Sequence, residues 1–452
     1  MIVMKFGGSS IDSPQAYKSV ANIIESRRSR KPIVVLSASG DTTDHLTQSI
    51  DAIVNGSPGD GHQLLRNIHE SHQSMAETLI QEATWRQKYS DISGDYFSEL
   101  HELLTGASML HDISNRSIDR ILSFGERYST LLMHCYLQSR HISSSLMDSR
   151  DFIRTDQDFT RARPLFGESN RLIRQYLNLS EVGDSIPIVQ GFIGSTKSGD
   201  TTTLGRGGSD YSAGIIGAAL EVEDIEIWSD VDGILTADPT IIHNAKVVNE
   251  MTFREAAELA YFGAKVLHPD TILPAVEKDI PIHIYNTRNQ SSGGSLIRND
   301  FPVHKNHPVV KSIAYKENIS VLNLTSTRMF QAHDFLRKVF EVLDRHKMAA
   351  DLVSTSEVSV SIAFHKNINY QPILDELSKF SVATVENSKA IVCLVGEQMR
   401  NFRGLPASVF QSLGDVHVNM ISQGASEVNL SFVINESDIE KVIAKLHAVF
   451  FQ

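Results

Sequence analysis

Only two cysteines occur in 452 residues, Cys135 and Cys393, far apart and each in apolar surroundings. That excludes a disulfide framework and a thiolate metal set, and both read as reduced core thiols. No apolar run approaches the length of a transmembrane helix. The chain opens directly on MIVMKFGG, without a secretory signal, so a cytoplasmic protein is expected. Long Lys/Arg runs are also missing, and the formal net charge is −12. Non-specific binding to nucleic acid or to an anionic membrane is therefore not expected, although a local basic pocket stays open. The phosphate-loop pattern GxxxxGK[ST] occurs nowhere.

What is present is an ordinary globular composition, 41% hydrophobic, in a chain too long for one core. About two to three domains are expected. The informative stretch runs from Gln190 to Pro239. An apolar strand from Ile186 to Phe192 ends at Gly194, and a threonine-rich turn, Thr201-Thr202-Thr203-Leu204, leads into Gly205-Arg206-Gly207-Gly208-Ser209-Asp210. Small and apolar residues from Tyr211 to Leu220 follow at helical spacing, and Ile225 to Trp228 reads as the next strand. Glycines between a strand and a helix start allow close approach to the backbone, where amides and the helix dipole hold an anion. Ser209-Asp210 stands where a dinucleotide fingerprint has its third glycine. Ser209 or Asp210 alone reads equally well as a helix N-cap. Arg206 between glycines, with Asp230, Asp232 and Asp238 downstream, points instead to an anion site with built-in carboxylates, for phosphate plus metal.

Ile2 to Phe6 is a strand with Lys5 at its end, before Gly7-Gly8-Ser9-Ser10; Ser13-Pro14 opens a helix to about Ser26. Pro32 to Leu36 is a second strand, followed by the polar turn 37–44. Repeated strand–loop–helix units imply an open, mostly parallel α/β sheet, whose ligands collect at the carboxyl ends of its strands. Residues 60–140 are mainly helical, and Glu126 heads the helix Tyr128 to Leu137. A lone acid there reads as a dipole-favoured surface residue, a lone Lys5 as a solvated strand end, and Lys265 as a helix C-terminal charge. TRNQSSGGSLIRND, up to Asp300, is the exit from the first domain. Two βαββαβ patterns follow, one ending with a strand Val382 to Glu386 and the next beginning with a strand Ala390 to Val395.

Taken in order, KFGGSS, SFGER, TTLGRGGSD, WSDVDGI and FGAKVLHP resemble the aspartokinases of the amino-acid kinase superfamily. DLVSTSEVSV and NMISQGAS resemble the paired ACT domains of monofunctional, lysine-regulated members. The resemblance spans essentially the whole chain and leaves no room for a homoserine dehydrogenase half. It implies an α/β amino-acid kinase domain over 1–300, a mostly parallel sheet between helix layers. Two α+β, ferredoxin-like ACT domains would follow over 312–388 and 389–452. The implied reaction is ATP-dependent phosphorylation of L-aspartate to 4-phospho-L-aspartate, with Mg²⁺, at the head of lysine, threonine and methionine biosynthesis. By resemblance Lys5 stabilises the transferring phosphoryl group and Asp210 orients the lysines or Mg²⁺. Arg206 pairs with the α-carboxylate, Glu126 holds the α-ammonium, and Thr43 and Ser209 orient the substrate. Lys5, Phe6, Gly7, Gly8, Ser229, Asp230, Leu235, Thr240, Lys265 and Val266 form the implied nucleotide set, and no metal ligand is assigned to a side chain. Met329, Ala332, Phe335, Leu336, Asp351, Thr355, Ser356 and Glu357 form the implied allosteric set, for lysine, at an interface between self-associating copies. The chain departs from the family at 41–44, at Leu235 (a family tyrosine), at Thr240 (an arginine), and at Ala332 and Asp334 (serine and glycine). Two other readings remain: the same fold acting on glutamate or acetylglutamate, and a catalytically dead amino-acid sensor.

Overall fold

Every residue of Ile2–Phe6 (β1) and of Pro32–Leu36 (β2) is buried, as expected for central strands covered on both faces. Between them Pro14–Ser26 (α1) starts on Ser13, whose hydroxyl accepts from Ala16 N at 3.3 Å, with proline in the first turn. The computed structural model describes residues 1–177, 183–263, 269–301, 310–326, 334–366 and 369–451. A helical layer follows β2: Thr42–Val54 (α2), Pro58–Leu79 (α3), Ala83–Leu110 (α4), Asn115–Leu122 (α5) and Phe124–Ser139 (α6). Then come Ser144–Met147 (β3), Phe166–Tyr176 (α7), Ile186–Gln190 (β4), the hairpin Ile193–Ser195 (β5) with Thr201–Thr203 (β6), Gly208–Leu220 (α8) and Asp224–Ser229 (β7). Glu250–Thr252 (β8), Phe253–Tyr261 (α9), Pro269–Glu277 (α10), Ile282–Asn286 (β9) and Ser295–Arg298 (β10) complete this part of the chain.

The described residues form two compact units, 1–234 with 269–300, and 235–263 with 301 and 310–451. Strands of the first unit lie in the order β3-β4-β2-β1-β7-β9-β10. All neighbours are parallel except β9 and β10. Strand β10 lies inside the segment expected to be an exit loop. Its four residues alternate buried and half-buried, too short a run for a period of two to stand out among polar neighbours. The ends of β1, β2, β4 and β7 share the carboxyl edge of the sheet.

In the second unit, residues 235–263 depart from the expected boundary at 300 because they are tied to that unit's core. Ala237 and Ile242 pack in one apolar cluster with Leu394, Leu430 and Leu446, and Lys311 Nζ lies 2.8 Å from the fully buried Glu255 carboxylate. Ser312–Ser326 (β11), Phe335–Arg345 (α11), Leu352–Thr355 (β12), Ser359–His365 (β13), Gln371–Leu377 (α12), Ser381–Val395 (β14), Leu405–Leu413 (α13), Met420–Gln423 (β15), Asn429–Asn435 (β16) and Ile439–Phe451 (α14) follow. They build an antiparallel sheet ordered β12-β13-β11-β14-β16-β15. The two strands expected at 382–386 and 390–395 are one strand, β14, so the boundary expected at 388/389 falls inside it. Both halves of β14 pair with β11, through register shifts near Lys316 and Ile319. No helix among the described residues is long and apolar enough to cross a membrane. Both cysteines are buried and free.

Candidate active site

Where β1 ends, the chain must turn without leaving the sheet edge, and two glycines make this possible. Gly7 N donates to Trp228 O at 3.1 Å, and Gly40 N donates to Gly8 O at 3.1 Å. A Cβ on Gly8 would lie 2.6 Å from Ala38 O, so only glycine lets the turns after β1 and β2 close together. The Gly7 N–H is thereby committed to the sheet. Phe6 is likewise a core residue, stacked on Trp228 with centroids 5.9 Å apart.

Lys5 is not a solvated strand end. Its side chain is 11% exposed, and Nζ lies 2.7 Å from Asp210 Oδ1. Neither Asp210 nor Ser209 caps α8. Gly207 holds the N-cap position in the left-handed region (φ 70), without a side-chain cap, and Asp210 lies in the first turn. Ser209 is buried against the end of β4, where a Cβ on Gly191 would come within 2.7 Å of its hydroxyl. Arg206, between Gly205 (φ 76) and Gly207, is exposed.

Glu126 is the largest departure from its single-residue reading. It lies in the first turn of α6 but is only 3% exposed. Its Oε1 accepts from Ala38 N at 3.1 Å, while Oε2 is buried with no hydrogen-bond partner. Burial pushes its carboxyl up to about 8, against the opposing pull of the Ala38 N–H and the Lys5 ammonium.

These groups surround one cleft of about 360 Å³, lined among others by Lys5, Gly8, Thr43, Glu126, Arg206, Ser209 and Asp210. Thr43, Glu126 and Asp210 each lie at the start of a helix, so the positive ends of α2, α6 and α8 add to the two cations. Such a cleft favours an anion and keeps one desolvated carboxylate for a cationic group. Ala38 and Gly40, from the polar turn 37–44, also line it, as does Phe192, which carried no sequence signal of a site. Phe192 has φ 66, so the expected strand through Phe192 stops at Gln190; nothing in a phenylalanine announces a left-handed backbone.

Other expected residues lie elsewhere. Ser229 O accepts from Thr287 N at 2.9 Å, and Asp230 O accepts from Asn286 Nδ2 at 3.3 Å, at the end of β7. Leu235 and Thr240 belong to the second unit. There Leu235 O accepts from Ser312 Oγ at 2.7 Å, and Thr240 N and Oγ1 donate to Asp238 at 2.8 and 2.6 Å. Lys265, Val266, Met329 and Ala332 lie outside the described residues. Phe335 is buried under α11 and Leu336 is exposed. Thr355 ends β12, and Ser356 and Glu357 form the turn after it, Ser356 Oγ 2.7 Å from Ser359 Oγ. The Asp351 side chain is already engaged by Lys316 Nζ at 2.7 Å and by Tyr261 OH at 3.1 Å, leaving Oδ2 buried and unpartnered.

Residues 1–286 match the amino acid kinase family, and residues 392–450 match an ACT domain. Lysine-sensitive aspartokinase 3 of Escherichia coli (strain K12) is 35% identical, the alignment covering 100% of this chain and 99% of that one. The chloroplastic aspartokinase 2 of Arabidopsis thaliana is 37% identical, over 100% of this chain and 84% of its own. The crystal structure of E. coli aspartokinase III in complex with aspartate and ADP superposes with a TM-score of 0.84, at 36% identity and full coverage of both chains. The same enzyme in complex with lysine and aspartate gives 0.81, again at 36% identity and full coverage. The chain therefore belongs to the aspartokinases of the amino acid kinase family.

Proposed function

We propose that the cleft beside Lys5 and Glu126 seats L-aspartate for phosphoryl transfer from ATP to its side-chain carboxylate. The observation that carries this is the buried, unpartnered Glu126 Oε2 in a cleft that also holds Arg206. An ammonium answers the first and a carboxylate answers the planar fork of the second. A zwitterionic amino acid satisfies both, and an N-acetylated acid leaves Glu126 unanswered.

The acceptor carboxylate is ionised at neutral pH, so no general base is needed. The task is to bring two anions together and spread charge in a loose transition state. Lys5 does this with a preorganised ammonium, aimed by its ion pair with Asp210. Ser209 and Thr43 bound the acceptor side. Among the described residues no group of three or more His, Cys, Asp or Glu side chains is placed to hold a metal. Mg²⁺ would arrive on the nucleotide phosphates, with Asp210 in the cleft as the carboxylate that would help hold it. When bound it would neutralise phosphate charge.

An ADP-release assay over aspartate, glutamate and N-acetylglutamate tests the reading. Turnover selective for aspartate is expected. Equal turnover of an acetylated substrate removes the assigned role of Glu126, and no ADP above background favours the sensor reading.

The second unit extends the proposal to regulation: self-association through the ACT region, at least a dimer, and binding of an amino acid, lysine first, near Asp351. A cytoplasmic location is part of the same proposal. By the family resemblance Asp334 replaces a glycine, and here it lies 3.5 Å from Arg337. Its extra charge at the rim predicts weaker lysine inhibition than is usual for the family. Titrating activity with lysine, threonine and methionine decides this, and tight lysine inhibition overturns the Asp334 argument.

A further inference from the structure

Asp119, on α5, is fully buried, yet protein hydrogens rather than a cation answer its carboxylate. Thr203 N donates to Oδ2 at 3.0 Å and Thr203 Oγ1 donates to Oδ1 at 2.7 Å. Thr160 N lies 3.1 and 3.0 Å from the two oxygens. Burying a carboxylate this way is costly unless several donors compensate it, so the contacts made have to be worth fixing.

What they fix is on either side of the cleft. Thr203 ends β6 and hands the chain through Leu204 and Gly205 to Arg206. Thr160 is itself held in the left-handed region (φ 74), and its carbonyl lies 3.5 Å from the Cβ position of Gly205. Asp119 therefore grips the end of the strand before the Arg206 loop and the turn packed behind its glycine. On its own helix, the Asp119 carbonyl accepts from Ser123 N at 3.0 Å, and Ser123 O accepts from Arg127 N at 3.2 Å. That joint between α5 and α6 sets where the first turn of α6, with Glu126, begins. One residue thus connects the mounting of the ammonium seat to the mounting of the carboxylate seat.

We propose that Asp119 is a positioning residue that sets the distance between Glu126 and Arg206, and with it the amino-acid length the cleft accepts. The proposal rests on the aspartate reading above. An asparagine in its place keeps the shape but has one acceptor oxygen and two N–H donors. One of the donors from Thr203 or Thr160 then faces an N–H, and the Arg206 loop must shift.

The test is steady-state kinetics on Asp119→Asn, Thr203→Val and Thr203→Ser in the full chain, with circular dichroism and melting curves on the same samples. Asp119→Asn is expected to raise the aspartate KM by about tenfold, the scale of about 1.4 kcal/mol, while the ATP KM stays within about twofold. Thr203→Val should raise the aspartate KM by less, and Thr203→Ser, which keeps the hydroxyl, should bring it back towards wild type. The double variant Asp119→Asn/Thr203→Val should raise the aspartate KM by less than the two single effects combined, because both changes act on the same hydrogen-bonded cluster. A folded Asp119→Asn with both KM values unchanged, or with both raised together, overturns the proposal. If that variant does not fold, equal aspartate KM values for Thr203→Val and Thr203→Ser overturn it instead. Wild-type turnover of aspartate in the same assay keeps the substrate reading standing whichever way the variants fall.

Discussion

Replacing Glu126 by glutamine keeps the shape of the side chain and removes its charge, so the cost of that charge can be read directly. Burial holds the carboxyl at about 8 instead of the ordinary 4.5, and (8 − 4.5) pH units at 1.36 kcal/mol each come to about 5 kcal/mol. That figure is the upper bound on what ionising Glu126 costs the ligand-free fold. Because the folded value lies above the unfolded one, the stability this group lends is complete below about pH 4.5. It drains away as pH rises to about 8. Glutamine shows no such loss, so ligand-free Glu126→Gln should melt progressively higher than wild type between pH 5 and 9. Bound aspartate reverses the sign, since its ammonium takes the place of the proton. Calorimetry at pH 7 in two buffers of different ionisation enthalpy should therefore find about one proton released per aspartate bound. In the variant the ammonium is buried without its partner, which costs about 3 kcal/mol and raises the aspartate KM by ~10²-fold. Parallel melting curves across this pH range, together with no proton release, would refute the buried-charge argument.

Lys5→Ala should cut kcat by ~10²-fold or more, the usual loss for one preorganised donor of about 3 kcal/mol, and a folded variant within about threefold of wild type would end its catalytic assignment. Arg206→Lys keeps the charge and loses the fork, so the aspartate KM should rise more than the ATP KM; a change confined to ATP would move Arg206 to the nucleotide side. Gly8→Ala places a Cβ 2.6 Å from Ala38 O, so the turns after β1 and β2 must part and kcat should fall at least about tenfold; unchanged kinetics in a folded variant would show that their closure is unimportant.

Much of this architecture can be read from periodicity and punctuation. β1, α1 and β2 lie where apolar runs and Ser13-Pro14 place them, and the glycines from 205 to 208 do lead into a helix, although the strand before them is β6, where a threonine-rich turn was expected. Position along a helix does not reveal burial, however. Glu126 reads as a surface acid because its neighbours in sequence do not include Ala38 or Lys5, its neighbours in space. Asp119 is silent for the same reason: its value lies in Thr160 and Thr203, remote in sequence. The break expected between 386 and 390 failed for a different reason. Glu386-Asn387-Ser388-Lys389 has the composition of a turn, and Ser388 does take φ 57. The strand continues regardless, because β11 shifts register opposite it and the polar residues become an irregularity in a ladder rather than a reversal of the chain.

The long pair β11 and β14 has a practical consequence for anyone recombining this protein. Each 15-residue strand gives its two halves to different parts of one sheet. A cut between residues 312 and 395 therefore removes strands from both regulatory halves at once. Neither half is an exchangeable cassette, and grafting one ACT repeat from a relative at the apparent repeat boundary leaves two half-sheets with unpaired edges. The segment transplants only whole, from before β11 to the end of α14, and with it residues 235–263, which pack into the same core. Chimaeras meant to change its effector have to change side chains within that block, not swap the blocks the repeats suggest.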